Sequence, residues 1–440
     1  MPTTAKLWES LHTSYWFVPS LLAAASIGAA IGLLEVDSRV GGDLPLDGWW
    51  LYGGSAAGAR AVLAAIVTSM ISVTSVVFSI TIVVLSLASG QFGPRLVRSF
   101  MRDRANHFVM GVFIATFIYA LIILGAVESG DERGFVPRLS VQFGVLLVIS
   151  SAGFLIFFIH HIALSIQADH VVAALGDEVR GVLERLYPAR VDRSDVAARA
   201  GEPDLDLPHT VGVAAEQDGY IQTLRSDRLL EIARRDDLVI ELEYRPGEWV
   251  VRGATLAVVA SRAPIDGDLP EEVRQTFDFE RHRSVAQDAE FGFRQITEVA
   301  VRALSPGIND PFTAMTCIDW LTALLRDLAR RELPDRHCYD DEGRLRLIVH
   351  VPTFGHFVET SFGQIRQYAG GAPAVLGRLL QGVDTVLEGA VHPEQRHPLV
   401  HEARLVMLAA EGADIAPSDL ADLRKRRAAV AATAARSLSG

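Results

Sequence analysis

Hydrophobic residues are concentrated in the first third of the chain, in four long apolar segments separated by more polar connections. The segments cover about residues 16–34, 61–88, 107–127 and 141–163. Each has about the 20 apolar residues that a helix needs to cross a bilayer core of roughly 30 Å, and none has a charged residue in its interior. The pattern predicts a transmembrane domain over residues 1–163 with four spans. We interpret the first span as a retained helix rather than a cleaved signal peptide, because three further spans follow it.

Arginines near the span ends predict how the chain is oriented in the membrane. The connection 92–106 is the only clearly basic one, with four arginines against one aspartate: Arg95, Arg98, Arg102 and Arg104, against Asp103. Positively charged connections stay on the cytoplasmic side of a membrane. With four spans, the N and C termini are then both expected in the cytoplasm.

The remaining residues have the composition of a water-soluble region. A helical pattern continues from the fourth span to Pro188, so residues 164–208 are predicted to be a helical extension and a linker. Alternating apolar residues and turn sequences predict a small β-module over 209–262. Residues 269–415 are predicted to be mainly helical, and 416–440 a basic, Ala-rich tail that frays. Candidate helices lie at 273–281, 288–304, 311–331, 357–368, 374–387 and 398–411, with one strand at 344–351. The predicted fold class is an α-helical integral membrane domain with four transmembrane helices, joined to a cytoplasmic α+β domain.

Composition excludes several classes of function. The net charge of −12 and the isoelectric point near 5.6 argue against a nucleic-acid partner. Cys317 and Cys338 are the only cysteines; disulfides are uncommon in the cytoplasm, and two thiols alone make no zinc site. Standard catalytic and nucleotide-binding signatures are missing. We therefore predict no catalytic residue, no cofactor and no metal site, and we do not expect an enzyme.

Five hydroxyl side chains recur along the second span at spacings of 4, 3, 4 and 7 residues: Thr68, Ser72, Ser75, Ser79 and Ser86. At about 100° per residue they fall on one narrow face of a helix. Such a face can line a wet pore in a symmetric oligomer, where hydroxyls replace part of an ion's water shell. It can also let helices pack closely in lipid. Both interpretations remain open at this point.

A second group of candidate residues lies where two predicted helices meet, in the run 283–314. Ser305, Pro306 and Gly307 are predicted to end the first helix, and Asp310 followed by Pro311 has the N-cap and first-turn residues of the next. Every residue of this loop has a structural role available, yet a helix N-terminus can also hold an anion. The candidates for a ligand-binding or interface loop are Arg302, Ser305, Asn309, Asp310 and Thr313.

Three stretches carry a resemblance to a known family: SVTSVVFSITIVVLSLASGQFGPRLV at 72–97, FFIHHIALSIQ at 157–167 and RALSPGINDPFTA at 302–314. With these, the chain resembles the bacterial predicted inner-membrane proteins grouped as a family of unknown function, with a distinctive SPGINDP motif. The resemblance covers the spans and most of the soluble part. It implies a four-helix membrane domain and a cytoplasmic domain in one polypeptide of the bacterial inner membrane, and no activity, ligand or functional residue.

Two hypotheses about function follow. The first is a homo-oligomeric channel or pore-like transporter, lined by the second span and regulated by the cytoplasmic domain. The second is a non-conducting membrane-anchored sensor or scaffold, which binds a ligand or partner through the loop that contains residues 305–313. The partners expected are the lipid bilayer, further copies of the chain and a small ion or ligand whose identity the residues do not reveal.

Overall fold

The computed structural model describes residues 16–40, 55–92, 103–127, 135–165, 167–188, 207–265, 267–390 and 392–436. The chain divides into two compact units, Met1–Gln167 and Ala168–Gly440. The first unit holds the four apolar helices, and the second holds the sheets and the remaining helices.

The first unit contains four helices that are long and apolar enough to cross a membrane. They are α1 (Phe17–Val40), α2 (Ala56–Phe92), α3 (Arg104–Ala126) and α4 (Arg138–Ser165). Helix α3 is the most buried of the four spans, because it packs more extensively than any other against the remaining three. The four observed helices extend beyond the predicted spans by two to six residues at six of the eight ends and stop one residue short at the other two, residues 16 and 127.

Buried polar contacts fix the N-terminal end of α4 within the first unit. Asp37, near the end of α1, is buried and accepts hydrogen bonds from the Leu139 and Ser140 amides and from the Ser140 hydroxyl. This carboxylate satisfies amides that the first turn of α4 leaves without helical partners. Tyr119 in α3 donates to the Ser140 carbonyl over 2.9 Å. The N-terminal end of α4 is therefore fixed by both α1 and α3.

The second unit begins with α5 (Ala168–Leu186), an amphipathic helix that buries Val172, Val179 and Leu183. The predicted continuous helix through 162–187 is thus two helices. Helix α4 ends at Ser165, and the Gln167 amide donates to the Leu164 carbonyl three residues earlier. That spacing closes a turn tighter than an α-helical one.

Two small sheets follow α5 along the chain. The sheet elements are β1 (His209–Ala214), β2 (Gly219–Leu224), β3 (Leu238–Leu242), β4 (Trp249–Val250), β5 (Thr255–Ser261), β6 (Phe277–Glu280), β7 (His337–Tyr339) and β8 (Leu345–Ile348), with the short helices α6 (Ser226–Arg235) and α7 (Leu269–Arg274) between them. The strand orders are β1-β5-β3-β8-β7 and β4-β2-β6. Strand β8 runs parallel to β3, with Ile240 opposite Leu347, so a distant segment completes the β-module.

Helices make up most of the remainder. They are α8 (Ala289–Ala303), α9 (Pro311–Leu328), α10 (Phe354–Val358), a π-helical turn (Glu359–Gly363), α11 (Gln364–Tyr368), α12 (Pro373–Leu387), α13 (Pro393–Glu411) and α14 (Pro417–Arg436). In the π turn the Thr297 hydroxyl of α8 donates to the Thr360 carbonyl over 3.0 Å. A π-helical turn is wider than an α-helical one, and here the Thr360 carbonyl accepts its hydrogen bond from a side chain of another helix.

Two local predictions about the second unit were wrong. Residues 273–281 were expected to be one helix, but α7 ends at Arg274 and the alternating run Phe277–Glu280 pairs with β2 as strand β6. The tail was expected to fray, but Pro417–Arg436 forms a helix. Leu423, Val430 and Thr433 recur at helical spacing and are buried, because α14 packs on α12 and α13.

Candidate functional site

The five hydroxyl residues predicted to share one face of the second span all lie on an exposed face of α2: Thr68, Ser72, Ser75, Ser79 and Ser86. The opposite face of α2 is the buried one: Ala59, Leu63, Ile66, Met70, Val77, Val84 and Ala88. At about 100° per residue the centres of the two faces are half a turn apart. The hydroxyl face is therefore the part of α2 farthest from the other helices of the first unit.

Three of the five hydroxyls of this face donate their protons to their own helix. Ser72 donates to the Thr68 carbonyl, Ser75 to the Ile71 carbonyl and Ser79 to the Ser75 carbonyl, each over 2.9 Å. A serine hydroxyl has one proton and two acceptor lone pairs. Because each of these protons is already donated to a carbonyl, the hydroxyl oxygens can only accept from the surroundings. Their lone pairs can contact a cation or accept hydrogen bonds from water.

Helix α2 has 37 residues, so at 1.5 Å per residue it is about 55 Å long. A bilayer core of roughly 30 Å accounts for about 20 of these residues. The hydroxyl positions cover residues 68–86, a length of about 27 Å along the axis. The face is therefore long enough to extend through nearly the whole hydrocarbon core.

The predicted loop candidates lie in the turn between α8 and α9. Asp310 caps α9: its carboxylate accepts from the Phe312 and Thr313 amides and from the Thr313 hydroxyl. These hydrogen bonds, the one from the Thr313 hydroxyl foremost, lower the pKa of Asp310. Asp310 thus holds the amides that an anion would otherwise find at the start of α9.

The other loop candidates have local structural roles. The Ser305 hydroxyl donates to the Arg302 carbonyl over 2.6 Å, and the Arg302 side chain reaches Glu298 one turn earlier in α8. Asn309 has a φ of 50°, a left-handed conformation in which Asn is commoner than most residues. The structure thus brings Ser305, Asp310 and Thr313 into one compact turn and directs Arg302 toward Glu298. Whether this turn binds a ligand or a partner stays a prediction.

A buried charged cluster was missed by the sequence reasoning. Glu290, in the first turn of α8, is 2 % exposed and contacts three guanidinium groups and one imidazole: Arg245 Nη2 at 2.6 Å, Arg294 Nη2 at 2.7 Å, Arg283 Nη2 at 3.6 Å and His356 Nε2 at 3.0 Å. Arg283 also pairs with buried Asp288 at 2.5 Å. Because Arg245 belongs to the β-module and His356 to α10, the cluster joins the β-module to the helical part. We call it the Glu290 cluster.

The environment of Glu290 favours its charged form. Burial alone raises the pKa of a carboxyl, but the hydrogen bond and charge of His356 and the charges of Arg245 and Arg283 outweigh it, so the pKa of Glu290 lies well below its usual range. The pKa of Asp288 is instead raised, because burial dominates over its bond to Arg283. Glu290 is therefore ionised in the folded protein, and its negative charge is stabilised by side chains of the same cluster.

No group of three or more His, Cys, Asp or Glu side chains suited to a metal ion occurs among the residues that the structure describes. His161 in α4 pairs with Asp103, at the N-cap of α3, over 2.5 Å. That contact fixes the two helix ends to each other.

These features define a class of protein: a membrane protein whose four apolar helices precede a soluble α+β region. The chain belongs to the family of predicted membrane proteins described as DUF2254, whose model matches residues 12–385. An uncharacterised protein of Mycobacterium tuberculosis strain H37Rv is 32% identical over 409 residues, which is 92% of this chain and 77% of the relative. An uncharacterised protein of Mycobacterium bovis matches to the same extent. No solved structure matches the chain.

Proposed function

We propose that the chain is the subunit of a homo-oligomeric channel whose pore is lined by the hydroxyl face of α2. The observation that carries this proposal is the position of that face, opposite the side on which α2 packs against its own unit. Hydroxyls that served only to pack helices within one subunit would lie on the buried side. On the outer side they are available to line an axis formed by several copies of α2.

The chemistry of the face favours a cation. The Ser72, Ser75 and Ser79 hydroxyls donate to backbone carbonyls, so their oxygens are left as acceptors toward the pore. Oxygen atoms that replace water molecules around an ion are a common basis of cation conduction. A face of neutral acceptors gives each ion a weak site, from which it can also leave.

The proposed membrane is the bacterial inner membrane, with both termini in the cytoplasm. The support is the excess of arginine in the connection 92–106, since basic connections remain cytoplasmic. In this orientation the α+β region is a cytoplasmic domain, and the proposal gives it the regulation of the pore.

Leucine at Ser79 is expected to abolish current through the channel, because it replaces an acceptor oxygen by a larger apolar group within the pore. The measurement is current across a planar bilayer in symmetric KCl, with the protein first shown to keep its oligomer size in detergent. Ser150→Leu in α4 is a matched control, since Ser150 is also exposed and donates to the carbonyl four residues earlier; its current should persist.

Two results would contradict the pore assignment. Unchanged currents in both Ser75→Leu and Ser79→Leu would mean that this face does not line the conduction path. A wild-type oligomer that carries no current would favour the non-conducting sensor or scaffold instead.

A further inference from the structure

A groove of about 230 Å³ lies between α13 and α14 in the second unit. Four of the side chains that line it carry hydrogen-bond donors: His397, His401 and Arg404 from α13, and Arg427 from α14. The three α13 residues are spaced by four and three positions, so they share one face of that helix. The remaining lining residues are all Val or Ala. The donors of two helices therefore converge on one small space.

The two arginines of the groove have charges that the fold does not neutralise. Neither Arg404 nor Arg427 forms an ion pair with a residue that the structure describes. Glu402 and Glu411, the acids of α13 closest to Arg404 in sequence, each pair with a different arginine, at 2.8 and 3.1 Å. Within the described part of the chain no acidic residue lines the groove. The groove is therefore locally positive in a chain whose net charge is −12.

The two histidines of the groove are held side by side. The ring centroids of His397 and His401 are 6.4 Å apart and the ring planes are 3° from parallel. Two imidazoles four residues apart on a helix can bind a metal ion, but two unpaired guanidinium groups at the same groove repel a divalent cation. All four groups favour an anion instead, because imidazole N–H groups and guanidinium groups donate hydrogen bonds to its oxygens.

The charge and size of the groove indicate which anion it fits. Guanidinium groups match the geometry of both carboxylates and phosphates, but two unpaired arginines favour an anion with more than one negative charge. A phosphate monoester has about 1.5 to 2 negative charges at neutral pH and three acceptor oxygens, whereas a carboxylate has one charge. The volume of about 230 Å³ is below the roughly 300–1,000 Å³ of pockets that enclose drug-sized ligands. The groove therefore fits a small phosphate group.

We propose that the groove between α13 and α14 binds the phosphate monoester or diphosphate group of a ligand. Arg404 and Arg427 neutralise its charge from the two helices, and His397 and His401 donate hydrogen bonds to its oxygens. A soluble phosphorylated molecule and a lipid headgroup can both supply this group. The site is separate from the Glu290 cluster and is independent of whether α2 lines a pore.

The test is a calorimetric titration of the full-length protein, in phosphatidylcholine nanodiscs, with inorganic pyrophosphate at fixed ionic strength and without divalent metal. Arg404→Gln and Arg427→Gln each remove one guanidinium from the groove, and both side chains are exposed, so the fold should tolerate the changes. The matched control is Arg424→Gln. It removes the same charge from α14, but from a side chain that pairs with Glu411 and does not line the groove.

A second titration distinguishes the two sources of the phosphate group. Nanodiscs that contain phosphatidic acid, whose headgroup is a phosphate monoester, are compared with phosphatidylserine nanodiscs of matched charge. Weaker pyrophosphate binding in the presence of phosphatidic acid would support the proposal with a lipid ligand. Equal pyrophosphate binding in both nanodiscs would support it with a soluble ligand.

The proposal predicts that each groove variant weakens pyrophosphate binding by about tenfold or more, the cost of losing a hydrogen bond between charged groups. Arg424→Gln should bind pyrophosphate as the wild type does. Equal weakening in all three variants would show attraction to overall charge alone and would overturn the proposal. A wild-type protein that does not bind pyrophosphate would overturn it equally.

Discussion

Replacing Glu290 with glutamine is expected to destabilise the soluble region by about 3–5 kcal/mol, the cost of removing one partner from a buried ion pair. Arg245 and Arg283 would lose the carboxylate that offsets their burial, and glutamine supplies no charge in its place. The measurement is thermal unfolding followed by a thiol-reactive dye in the Cys338→Ser background. The dye then reports on Cys317 alone, which lies in the core of the soluble region.

Glu248→Gln is the matched control, because Glu248 pairs with the same Arg245 at 3.3 Å while its side chain is 40 % exposed. An exposed pair contributes at most about 1 kcal/mol, so this variant should unfold close to the wild-type temperature. If Glu290→Gln and Glu248→Gln lower the unfolding temperature equally, the burial of Glu290 does not determine how much the cluster stabilises the fold.

The effect of Glu290→Gln should depend on pH in a defined direction. The folded-state pKa of Glu290 is lowered, so its stabilisation is complete above the unfolded-state value of about 4.3 and is lost as pH falls through the folded-state value. The difference between wild type and variant should therefore be constant near neutral pH and shrink as the solution becomes strongly acidic. Tryptophan fluorescence during unfolding at a series of pH values measures it.

Gly247→Ala is expected to destabilise the same region by about 2–4 kcal/mol, from two costs of the same sign. Gly247 has a φ of +91°, and a left-handed conformation costs a residue with a Cβ about 1–2 kcal/mol. The added Cβ would also overlap the Asp288 carboxylate, so the pair of Asp288 with Arg283 would have to shift. Chemical denaturation at neutral pH gives the loss.

Gly253→Ala separates these two costs. Gly253 has a similar φ of +85°, but a Cβ there would meet no atom within 4 Å. This variant should therefore lose only the backbone contribution of about 1–2 kcal/mol. If Gly247→Ala is no worse than Gly253→Ala, the close approach to Asp288 is not a constraint on the fold.

Features that depend on local sequence were predictable. The four spans follow from apolar length alone, and the hydroxyl face follows from spacing along one helix. The α8–α9 turn follows from capping chemistry, since Asp310 before Pro311 has a single favourable arrangement at a helix start. In each case the interactions join residues fewer than about twenty positions apart.

Features that depend on distant pairing were not predictable. The Glu290 cluster has no local signal in the sequence, because Arg245 and His356 are 45 and 66 residues away from Glu290. The pairing of β8 with β3 links residues 347 and 240, and no local pattern specifies it. The strand Phe277–Glu280 is four residues long, which is too short for alternation to be distinguished from the end of a helix.

The central claim is that the hydroxyl face of α2 meets water inside the membrane. The most direct test is the reaction of Ser79→Cys with a charged, membrane-impermeant thiol reagent in the Cys338→Ser background, with Ser150→Cys in α4 as the matched exposed serine. The account places residue 150 in lipid, so it predicts that the cysteine at 79 reacts in intact vesicles and that the cysteine at 150 does not. Equal protection at both positions would show that the face of α2 lies in lipid or protein and would contradict the account.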